Sequence, residues 1–373
     1  MRVLLWSELF WPYVGGAELF AARLMLELRE RGYRFLVVTS HDYLELPDEA
    51  SYEGIPVHRL PFRPAMEARD AAALAIARRR AAAVKRAFAP DLVHVNALGP
   101  SVLFHLLTAT PHRAPSLLRL QSEVLPSQAD DGDTLLHRAL VSADWIVGCS
   151  QEILDQARRV VPGITPRSSA IRGGVEVSAA PGGDRTGPPR LLGLGRLVPA
   201  KGFDVLLAAF ADLAERFPEL RLTIAGDGIA RAELEDQASA LGVAHAVDFT
   251  GWVEPDRVWE LIGPATVVVM PSRREGLPQT ALQAASMARP IVASRVGGLP
   301  EVVVDRESGM LVDPDDAPGL AEAIAFLLEH PEEAARMGLA ARHRIRETMS
   351  LDRCVDAYDD LYRTLAPNSE WSP

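Results

Sequence analysis

Short apolar runs alternate with longer amphipathic segments along almost the whole chain, and this alternation restricts the possible folds more than any other feature. Apolar runs bounded by turn residues predict buried strands, and apolar residues at helical spacing predict the helices between them. A strand followed by a helix, repeated many times, is typical of parallel sheets with crossover helices. The sequence therefore predicts an α/β protein built on parallel sheets.

The alternation occurs in both halves of the chain. In the first half, strands are predicted at 2–7, 34–39, 91–95, 116–120 and 145–148, and helices at 16–31, 69–88, 134–142 and 151–160. In the second half, strands are predicted at 190–194, 222–225, 247–250, 266–270 and 290–293, with helices starting near 203, 229, 255 and 278. A last helix is predicted over 351–365.

The length of the chain predicts two domains. At 373 residues it exceeds what one hydrophobic core usually supports, since single domains stop growing at roughly 250–300 residues. Residues 179–189 are dense in Gly and Pro, which favour neither sheet ladders nor helices. We therefore predict domains at 1–178 and 186–350, with a linker over 179–189 at their junction.

Charge and cysteine content exclude several classes of protein. A net charge of -11 disfavours generic binding to nucleic acid or anionic lipid. Cys149 and Cys354 fit no metal spacing, and so few cysteines favour a reducing compartment. The apolar stretch after Met1 is too short for a signal peptide, and no run reaches the ~20 apolar residues of a membrane span. We expect a cytoplasmic monomer or homodimer.

The loop over residues 195–202 combines two cations with a predicted helix start. In open α/β sheets, ligands bind beyond the carboxyl ends of the strands, where helix N-termini favour anions. Arg196 and Lys201 stand five residues apart on this loop, and a guanidinium and an ammonium at that spacing suit two adjacent phosphate groups. Only one other lysine, Lys85, occurs in the chain. The alternative is a solvated surface loop.

The loop over residues 271–280 follows a predicted strand and combines a carboxylate with another helix start. Pro278 fits the first turn of a helix, so that the N–H groups of Gln279 and Thr280 remain available to an anion. Glu275 suits the recognition of sugar hydroxyls. Its alternative role is an ion pair with one of the two arginines that precede it.

Five loops, taken in order, resemble those of the retaining glycosyltransferases of family four, which have the GT-B fold. The motifs are Gly15-Gly16-Ala17-Glu18, Gly195-Arg196 to Lys201-Gly202, Gly226-Asp227-Gly228, Pro271-Ser272 to Glu275-Gly276, and Gly297-Gly298-Leu299-Pro300-Glu301. The resemblance covers almost the whole chain. It implies two Rossmann-like β/α/β domains facing across a cleft, with the donor site in the C-terminal domain and the acceptor site in the N-terminal one. A C-terminal helix, at about 351–373, would return to the N-terminal domain.

The resemblance also implies roles for single residues. Arg196 and Lys201 would hold the diphosphate of a nucleotide-sugar donor, Glu275 would contact the sugar hydroxyls, and these three would be the catalytic residues. Gly16 would lie under the diphosphate from the opposite domain. The other donor-side residues implied are Gly195, Gly226, Val253, Gly276, Leu277, Pro278, Gln279, Thr280 and Gln283. No metal ion or other cofactor is expected, because cations and a helix start would neutralise the charge that magnesium otherwise meets.

Two positions depart from the family's pattern. The family usually has a second Glu eight residues after the first, which binds the ribose, and here that position holds Gln283. An amide accepts with a neutral oxygen, so nucleotide affinity or preference should differ. Gln121 stands where many relatives carry a His near the acceptor. His94 and Glu123 are further acceptor-side candidates, whose alternative roles are a core histidine and a solvated surface group.

The sequence thus predicts a retaining, metal-independent glycosyltransferase that moves a hexose-type sugar to a hydroxyl of a surface glycan, glycolipid or secondary metabolite. Two alternatives stay open: a sugar-nucleotide epimerase of the same fold, and a nucleotide-sugar-binding protein with little turnover. A basic segment at 78–86 predicts either a peripheral membrane contact or a solvated charged face. We favour the solvated face, because the interspersed alanines offer little apolar surface.

Overall fold

The structure is a computed structural model that describes residues 1–13, 15–42, 44–96, 98–109, 113–124, 134–177 and 187–367. The chain divides into two compact units. Unit 1 comprises Met1–Arg172 and Cys354–Pro373, and unit 2 comprises Gly173–Arg353. The division falls N-terminal to the predicted linker at 179–189, of which residues 179–186 lie outside the described ranges.

Unit 1 is built around a largely parallel sheet. Its strands are β1 (Arg2–Ser7), β2 (Arg34–Ser40), β3 (Glu49–Tyr52), β4 (Ile55–Leu60), β5 (Leu92–Asn96), β6 (Ser116–Leu120), β7 (Trp145–Gly148) and β8 (Ser168–Ala170). They lie in the order β3-β4-β2-β1-β5-β6-β7-β8, with β3 antiparallel to β4 at one edge. The order changes direction between β1 and β5, and α/β sheets bind ligands at the carboxyl ends of strands beside such a switch point.

The helices of unit 1 follow its strands. They are α1 (Gly16–Glu30), α2 (Phe62–Glu67), α3 (Ala71–Phe88), α4 (Val102–Leu107), α5 (Leu135–Ser142) and α6 (Gln151–Val160). In α1, Phe20, Leu24 and Leu28 recur every four residues and are all buried. This spacing places them on one face, which packs into the core.

Unit 2 contains a second, fully parallel sheet. Its strands are β9 (Arg190–Leu194), β10 (Arg221–Ala225), β11 (Val247–Gly251), β12 (Val267–Met270), β13 (Ile291–Ser294) and β14 (Met310–Val312). They lie in the order β11-β10-β9-β12-β13-β14. Its helices are α7 (Phe203–Arg216), α8 (Arg231–Ala240), α9 (Val258–Ile262), α10 (Gln279–Ser286), α11 (Leu299–Val302), α12 (Ala317–Glu329) and α13 (Pro331–Thr348).

The core of unit 2 lies on both faces of its sheet. Along β12, Val267 and Val269 belong to one apolar cluster, whereas Val268 and Met270 belong to another. Successive strand residues point to opposite faces, so each cluster covers one face. Burial on both faces explains why β12 reads as an unbroken apolar run.

The last helix, α14 (Leu351–Leu365), begins in unit 2 and continues in unit 1 from Cys354 onward. Within unit 1, Tyr358 and Tyr362 of α14 are completely buried. Their rings contact that of His94 on β5, with ring centroids 5.6 and 5.8 Å away. The C-terminal turns of α14 therefore contribute to the core of unit 1.

The fold class predicted from the sequence is confirmed: the chain forms two α/β units, each built on a parallel sheet. The bounds predicted at 2–7, 116–120, 145–148, 151–160, 190–194 and 351–365 agree with the structure. The sequence did not reveal the hairpin of β3 and β4, nor the short strands β8 and β14. Among the helices that the structure describes, none has the length and apolar content needed to cross a membrane.

Candidate active site

The loop after β9, residues 195–202, is called here the lysine loop. A 3-10 turn over Pro199–Lys201 and the left-handed Gly202, with φ 65°, lead it into α7. Arg196 is exposed, and its guanidinium makes no hydrogen bond or ion pair with any residue that the structure describes. The aliphatic stem of Lys201 lies beside Gly195. The loop thus presents Arg196, which has no partner among the described residues, and Lys201, whose side chain packs beside the backbone of Gly195.

Lys201 pairs with a buried carboxylate on the loop after β12, residues 271–278, called here the glutamate loop. Lys201 Nζ lies 2.5 Å from Glu275 Oε1, and Ser272 Oγ donates a hydrogen bond to the same oxygen at 2.8 Å. The side chain of Glu275 is only 7% exposed. Because both contacts use Oε1, Oε2 remains to accept from a ligand hydroxyl. The alternative ion pair with Arg273 is wrong, since that guanidinium pairs with other carboxylates.

The positive end of α7 is already occupied by a carboxylate. Asp204 lies in the first turn of this helix. The Arg273 guanidinium holds the pKa of Asp204 below its usual range, and backbone N–H groups of Asp204 and Val205 contribute further. An acid at a helix N-terminus satisfies the donors that an external anion would otherwise bind. The start of α7 is therefore a less favourable phosphate site than a helix start without an acid.

The positive end of α10, in contrast, is open. This helix has no acid in its first turn, and its first intrahelical bonds run from the third and fourth N–H groups to Pro278 O. The N–H groups of Gln279 and Thr280 precede those bonds and are available to an anion. Pro278 itself is the N-cap, with φ -72° and ψ 125°, and not a residue of the first turn as predicted. As the N-cap, Pro278 precedes the N–H groups of Gln279 and Thr280.

Arg273 joins the glutamate loop to the lysine loop. Its Nη1 and Nη2 donate to the two carboxylate oxygens of Asp204 at 2.8 and 2.6 Å, and Nη1 also donates to Pro199 O at 2.6 Å. Its backbone N–H donates to Ala200 O at 2.9 Å. Nε donates to Asp315 Oδ1 at 2.6 Å. From the sequence, Arg273 was considered only as an ion-pair partner of Glu275, although it stands inside a motif quoted for the resemblance.

Glycines allow the loops at this edge to approach one another closely. A Cβ atom would lie 2.0 Å from Pro271 O at Gly202, 2.0 Å from Gly195 O at Gly226, 2.3 Å from Leu197 O at Gly228, and 1.9 Å from Glu275 O at Gly297. No side chain tolerates such distances, so any of these four substitutions would push two loops apart. These glycines pack loop against loop.

The other predicted donor-side residues surround the glutamate loop and the neighbouring strand ends. Val253 and Leu277 are partly buried against one of the two apolar clusters. Gly276 O accepts a hydrogen bond from Gly298 N–H at 2.7 Å. Gln283 is half-buried in α10, four residues after Gln279 at the start of that helix. Side chains four residues apart are neighbours on one helix face. Within the described ranges, no three His, Cys, Asp or Glu gather as a metal site.

In unit 1, His94 is a core residue. It is 1% exposed, and its Nδ1 lies 2.5 Å from Tyr362 Oη. Burial, and then the nearby Arg119, lower the pKa of His94 to about 3. An imidazole enclosed in this way contacts no ligand, so its assignment as an acceptor-side candidate is wrong. His94 is a core histidine, which was its alternative role.

Polar side chains gather instead at the carboxyl ends of β5 and β6. Gln121 Nε2 donates to Asn96 Oδ1, and Asn96 Nδ2 donates to Ala17 O in the first turn of α1 at 3.3 Å. Gly16 opens that helix and is exposed. Glu123 is half-buried in the loop after β6. Asn96 was missed, although a polar residue closing an apolar strand was a visible signal.

The basic segment of α3 does not form one continuous cationic face. Lys85 is 2% exposed, and its Nζ donates to His105 O and Thr108 O at 3.1 and 3.3 Å and lies 3.1 Å from His105 Nδ1. Arg80 pairs with Asp48 at 2.8 Å. Lys85 is therefore an internal group, and the prediction that grouped it with the surface arginines is wrong.

Two family models match the chain in succession. A model described as glycosyl transferase 4-like domain matches residues 15–172, and one described as glycosyl transferases group 1 matches residues 176–344. D-inositol 3-phosphate glycosyltransferase of Corynebacterium urealyticum is 30% identical over 295 residues, which cover 75% of this chain and 68% of that protein. The chain belongs to glycosyltransferase family four. The resemblance stated from the five loops is thereby confirmed.

Further proteins resemble this chain over part or all of its length. Glycogen synthase of Mycobacterium tuberculosis is 33% identical over 224 residues, 59% of this chain and 54% of that protein. The chain thus spans about half the length of that relative. The crystal structure of Anabaena HepE in complex with UDP-glucose has a TM-score of 0.81 at 19% identity, covering 98% of this chain and all of the other. This likeness supports the GT-B fold.

Proposed function

We propose that this protein is a retaining glycosyltransferase that takes a hexose-type sugar from a nucleotide-diphosphate sugar bound in unit 2. The observation that carries the proposal is the Lys201–Glu275 pair beside the open N-terminus of α10. The ammonium and the helix start suit a diphosphate, while the second oxygen of Glu275 suits a sugar hydroxyl. Arg196, which has no partner among the described residues, supplies a second cation.

Charge development determines how these groups accelerate the reaction. As the bond between the anomeric carbon and the phosphate oxygen breaks, negative charge grows on the leaving oxygen. Arg196, Lys201 and the N–H groups at the start of α10 stabilise that charge. Each such donor typically contributes about 3 kcal/mol to transition-state stabilisation. These groups supply positive charge without a metal ion, so we propose metal-independent transfer.

Retention of configuration requires the acceptor to attack from the face that the phosphate leaves. In the proposed step, the bond from the anomeric carbon to the acceptor oxygen forms as the bond to phosphate breaks, and the acceptor proton passes to the departing phosphate. No protein nucleophile is needed. The arrangement of Glu275 agrees with this, because two donors already hold its Oε1 and favour a binding role.

The acceptor is proposed to be a hydroxyl-bearing molecule held at the carboxyl edge of the unit 1 sheet. Asn96 and Gln121 present amide groups there, and amides both donate to and accept from hydroxyls. A surface glycan, a glycolipid and a secondary metabolite all carry such hydroxyls. One relative is named as acting on D-inositol 3-phosphate, a polyol, which fits the same chemistry.

A donor panel tests the proposal. Thermal shifts with UDP-, GDP-, ADP- and dTDP-sugars should identify one strong ligand, because ligand at 100 times its Kd adds roughly 2.7 kcal/mol of stability. The selected donor is then incubated with polyol and glycoside acceptors, with and without EDTA, and products are analysed by mass spectrometry and NMR. An α-linked product from an α-linked donor, unaffected by EDTA, is expected. Acceptor-free isomerisation would favour the epimerase, and binding without product would favour the binding protein.

Replacing Gln283 with glutamate should introduce the carboxylate that binds the ribose in the family. A charged hydrogen bond contributes about 1 kcal/mol more than a neutral one, so affinity for UDP or GDP should rise about fivefold. Calorimetry with the ribose and 2′-deoxyribose forms of the same nucleotide measures this, and the gain should be smaller for the deoxy form. Gln151→Glu, an exposed amide-to-acid change in unit 1, is the control. Equal effects on both nucleotides would remove Gln283 from the ribose site.

A further inference from the structure

We propose that Arg273 is a positioning residue, which sets the reach of the Lys201 ammonium by clamping the lysine loop to the glutamate loop. This inference rests on the proposed function, since it concerns the site at which the donor diphosphate would bind. It is carried by the hydrogen bonds of Arg273 and by their placement on both sides of Lys201.

The acceptors of Arg273 bracket Lys201 in the sequence. Pro199 O and Ala200 O precede the lysine, and the Asp204 carboxylate follows it by three residues. A rigid planar guanidinium that donates to both sides of a turn fixes that turn as a unit. The Cα of Lys201 therefore has little freedom to shift against the glutamate loop.

Lys201 closes the arrangement into a ring. Its ammonium reaches back to Glu275, which lies two residues after Arg273 on the glutamate loop. The path runs from Arg273 to the lysine loop, through Lys201 to Glu275, and back along the chain to Arg273. Without the Arg273 side chain, the two loops would keep the 2.5 Å contact between Lys201 and Glu275 and the backbone hydrogen bonds from Arg273 and Arg274 to Ala200 O. Arg273 thus determines the position from which the Lys201 ammonium contacts a bound phosphate.

The exposure of the Arg273 contacts indicates that they position the lysine loop more than they stabilise the whole fold. Its side chain is 29% exposed, and those of Asp204 and Asp315 are 44% and 59% exposed. Ion pairs exposed to this degree typically contribute about 0–1 kcal/mol to the free energy of unfolding, and the bidentate geometry of the pair with Asp204 favours the upper end of that range. Four side-chain hydrogen bonds concentrated on one solvent-accessible arginine beside the site therefore point to placement of the loop.

Kinetics of two Arg273 variants test the inference. Arg273→Lys keeps the charge but loses the planar fork, and Arg273→Ala loses both. A misplacement of about 1 Å at a reacting centre can lower turnover on the order of 10²-fold, so kcat should fall by about that factor in Arg273→Ala. KM for the donor should change less, and the melting temperature little. Arg273→Lys should recover only part of the loss, since one ammonium cannot bridge the same acceptors.

Arg216 provides the matched control. It lies at the other end of α7 and also pairs with two carboxylates, Glu322 at 2.8 Å and Glu329 at 3.1 Å. Arg216→Ala removes a comparable exposed clamp from the same unit without touching the lysine loop. It should leave kcat unchanged. Equal losses of kcat in Arg216→Ala and Arg273→Ala would show that Arg273 acts only through general stability and would overturn the inference.

A second measurement is independent of any donor. The chain has only two lysines, and Lys85 is buried, so protein made with ¹³C-lysine gives two Cε resonances. The Lys201 resonance, assigned with Lys201→Ala, should move toward the position of free lysine in Arg273→Ala, and it should not move in Arg216→Ala. An unchanged Lys201 resonance in Arg273→Ala overturns the inference. If the wild-type protein binds no nucleotide sugar, the proposed function fails, while this spectrum still decides whether Arg273 places Lys201.

Discussion

Replacing Arg196 and Lys201 together with alanine is expected to abolish donor-dependent turnover while both units stay folded. In the proposed mechanism each cation stabilises the leaving diphosphate by about 3 kcal/mol, so their joint removal should lower turnover on the order of 10⁴-fold. Affinity for the nucleoside diphosphate should fall below detection in calorimetry. This prediction has the largest expected effect, because two of the three groups that meet the developing charge are lost together.

The two single variants should differ in stability. Arg196 is exposed and unpaired among the described residues, so Arg196→Ala should change the free energy of unfolding by less than ~0.5 kcal/mol. Lys201→Ala leaves Ser272 as the remaining donor to the buried Glu275 carboxylate among the described residues. We expect the free energy of unfolding to fall by about 2 kcal/mol. Arg190→Ala is the control, because Arg190 is exposed at the opposite end of β9. Unaltered donor affinity in the double variant would disprove the assigned site.

Replacing Lys85 with methionine is expected to destabilise unit 1 by about 4 kcal/mol at pH 9. The substitution keeps much of the volume but removes the donor to Thr108 O and the partner of His105 Nδ1. Each buried group left unpaired costs about 1–3 kcal/mol. His105 O loses less, because it also accepts from the N–H and hydroxyl of Thr108. Calorimetry of the unit 1 transition measures the loss, with the exposed Arg79→Met of the same helix as control.

The cost of Lys85→Met should depend on pH. Burial lowers the pKa of Lys85 to about 7, whereas an unfolded lysine keeps its proton up to about pH 10.4. Between these values the unfolded chain binds more protons than the folded one, so this group makes the wild type more stable as the pH rises from 7 to 10. The variant lacks that gain. Its loss relative to wild type should therefore be larger at pH 9 than at pH 7, and a pH-independent loss would contradict the burial of a neutral amine.

The sequence predicted the main parallel strands because local pattern and tertiary environment agree there. The run that became β12 is apolar throughout, and that of β9 is apolar after the exposed Arg190; the sheet covers both faces of these apolar residues. The β3–β4 hairpin was missed because its strands are short and its turn is Glu53-Gly54. Both of these residues take positive φ, 49° and 81°, and only the glycine signals that conformation in the sequence.

The candidate site was predictable in its residue types but not in its contacts. Spacing drew attention to Arg196, Lys201 and Glu275, yet which carboxylate pairs with which cation depends on side chains that are distant in the sequence. Arg273 and Asp204 are separated by 69 residues, and no local pattern links them. Whether a helix N-terminus is open likewise depends on its neighbours. The sequence pattern predicted an anion site at the starts of both α7 and α10, whereas only α10 lacks an acid in its first turn.

The four glycine contacts at the edge of the unit 2 sheet restrict how the proposed donor site can be re-engineered. Since the backbones of two loops are in close contact at Gly202, Gly226, Gly228 and Gly297, the proposed donor site cannot be reshaped by adding side chains at those positions without separating the loops. Libraries aimed at a new sugar nucleotide should keep these four positions fixed. They should instead vary half-buried side chains such as Gln283, where a new residue does not disturb the scaffold.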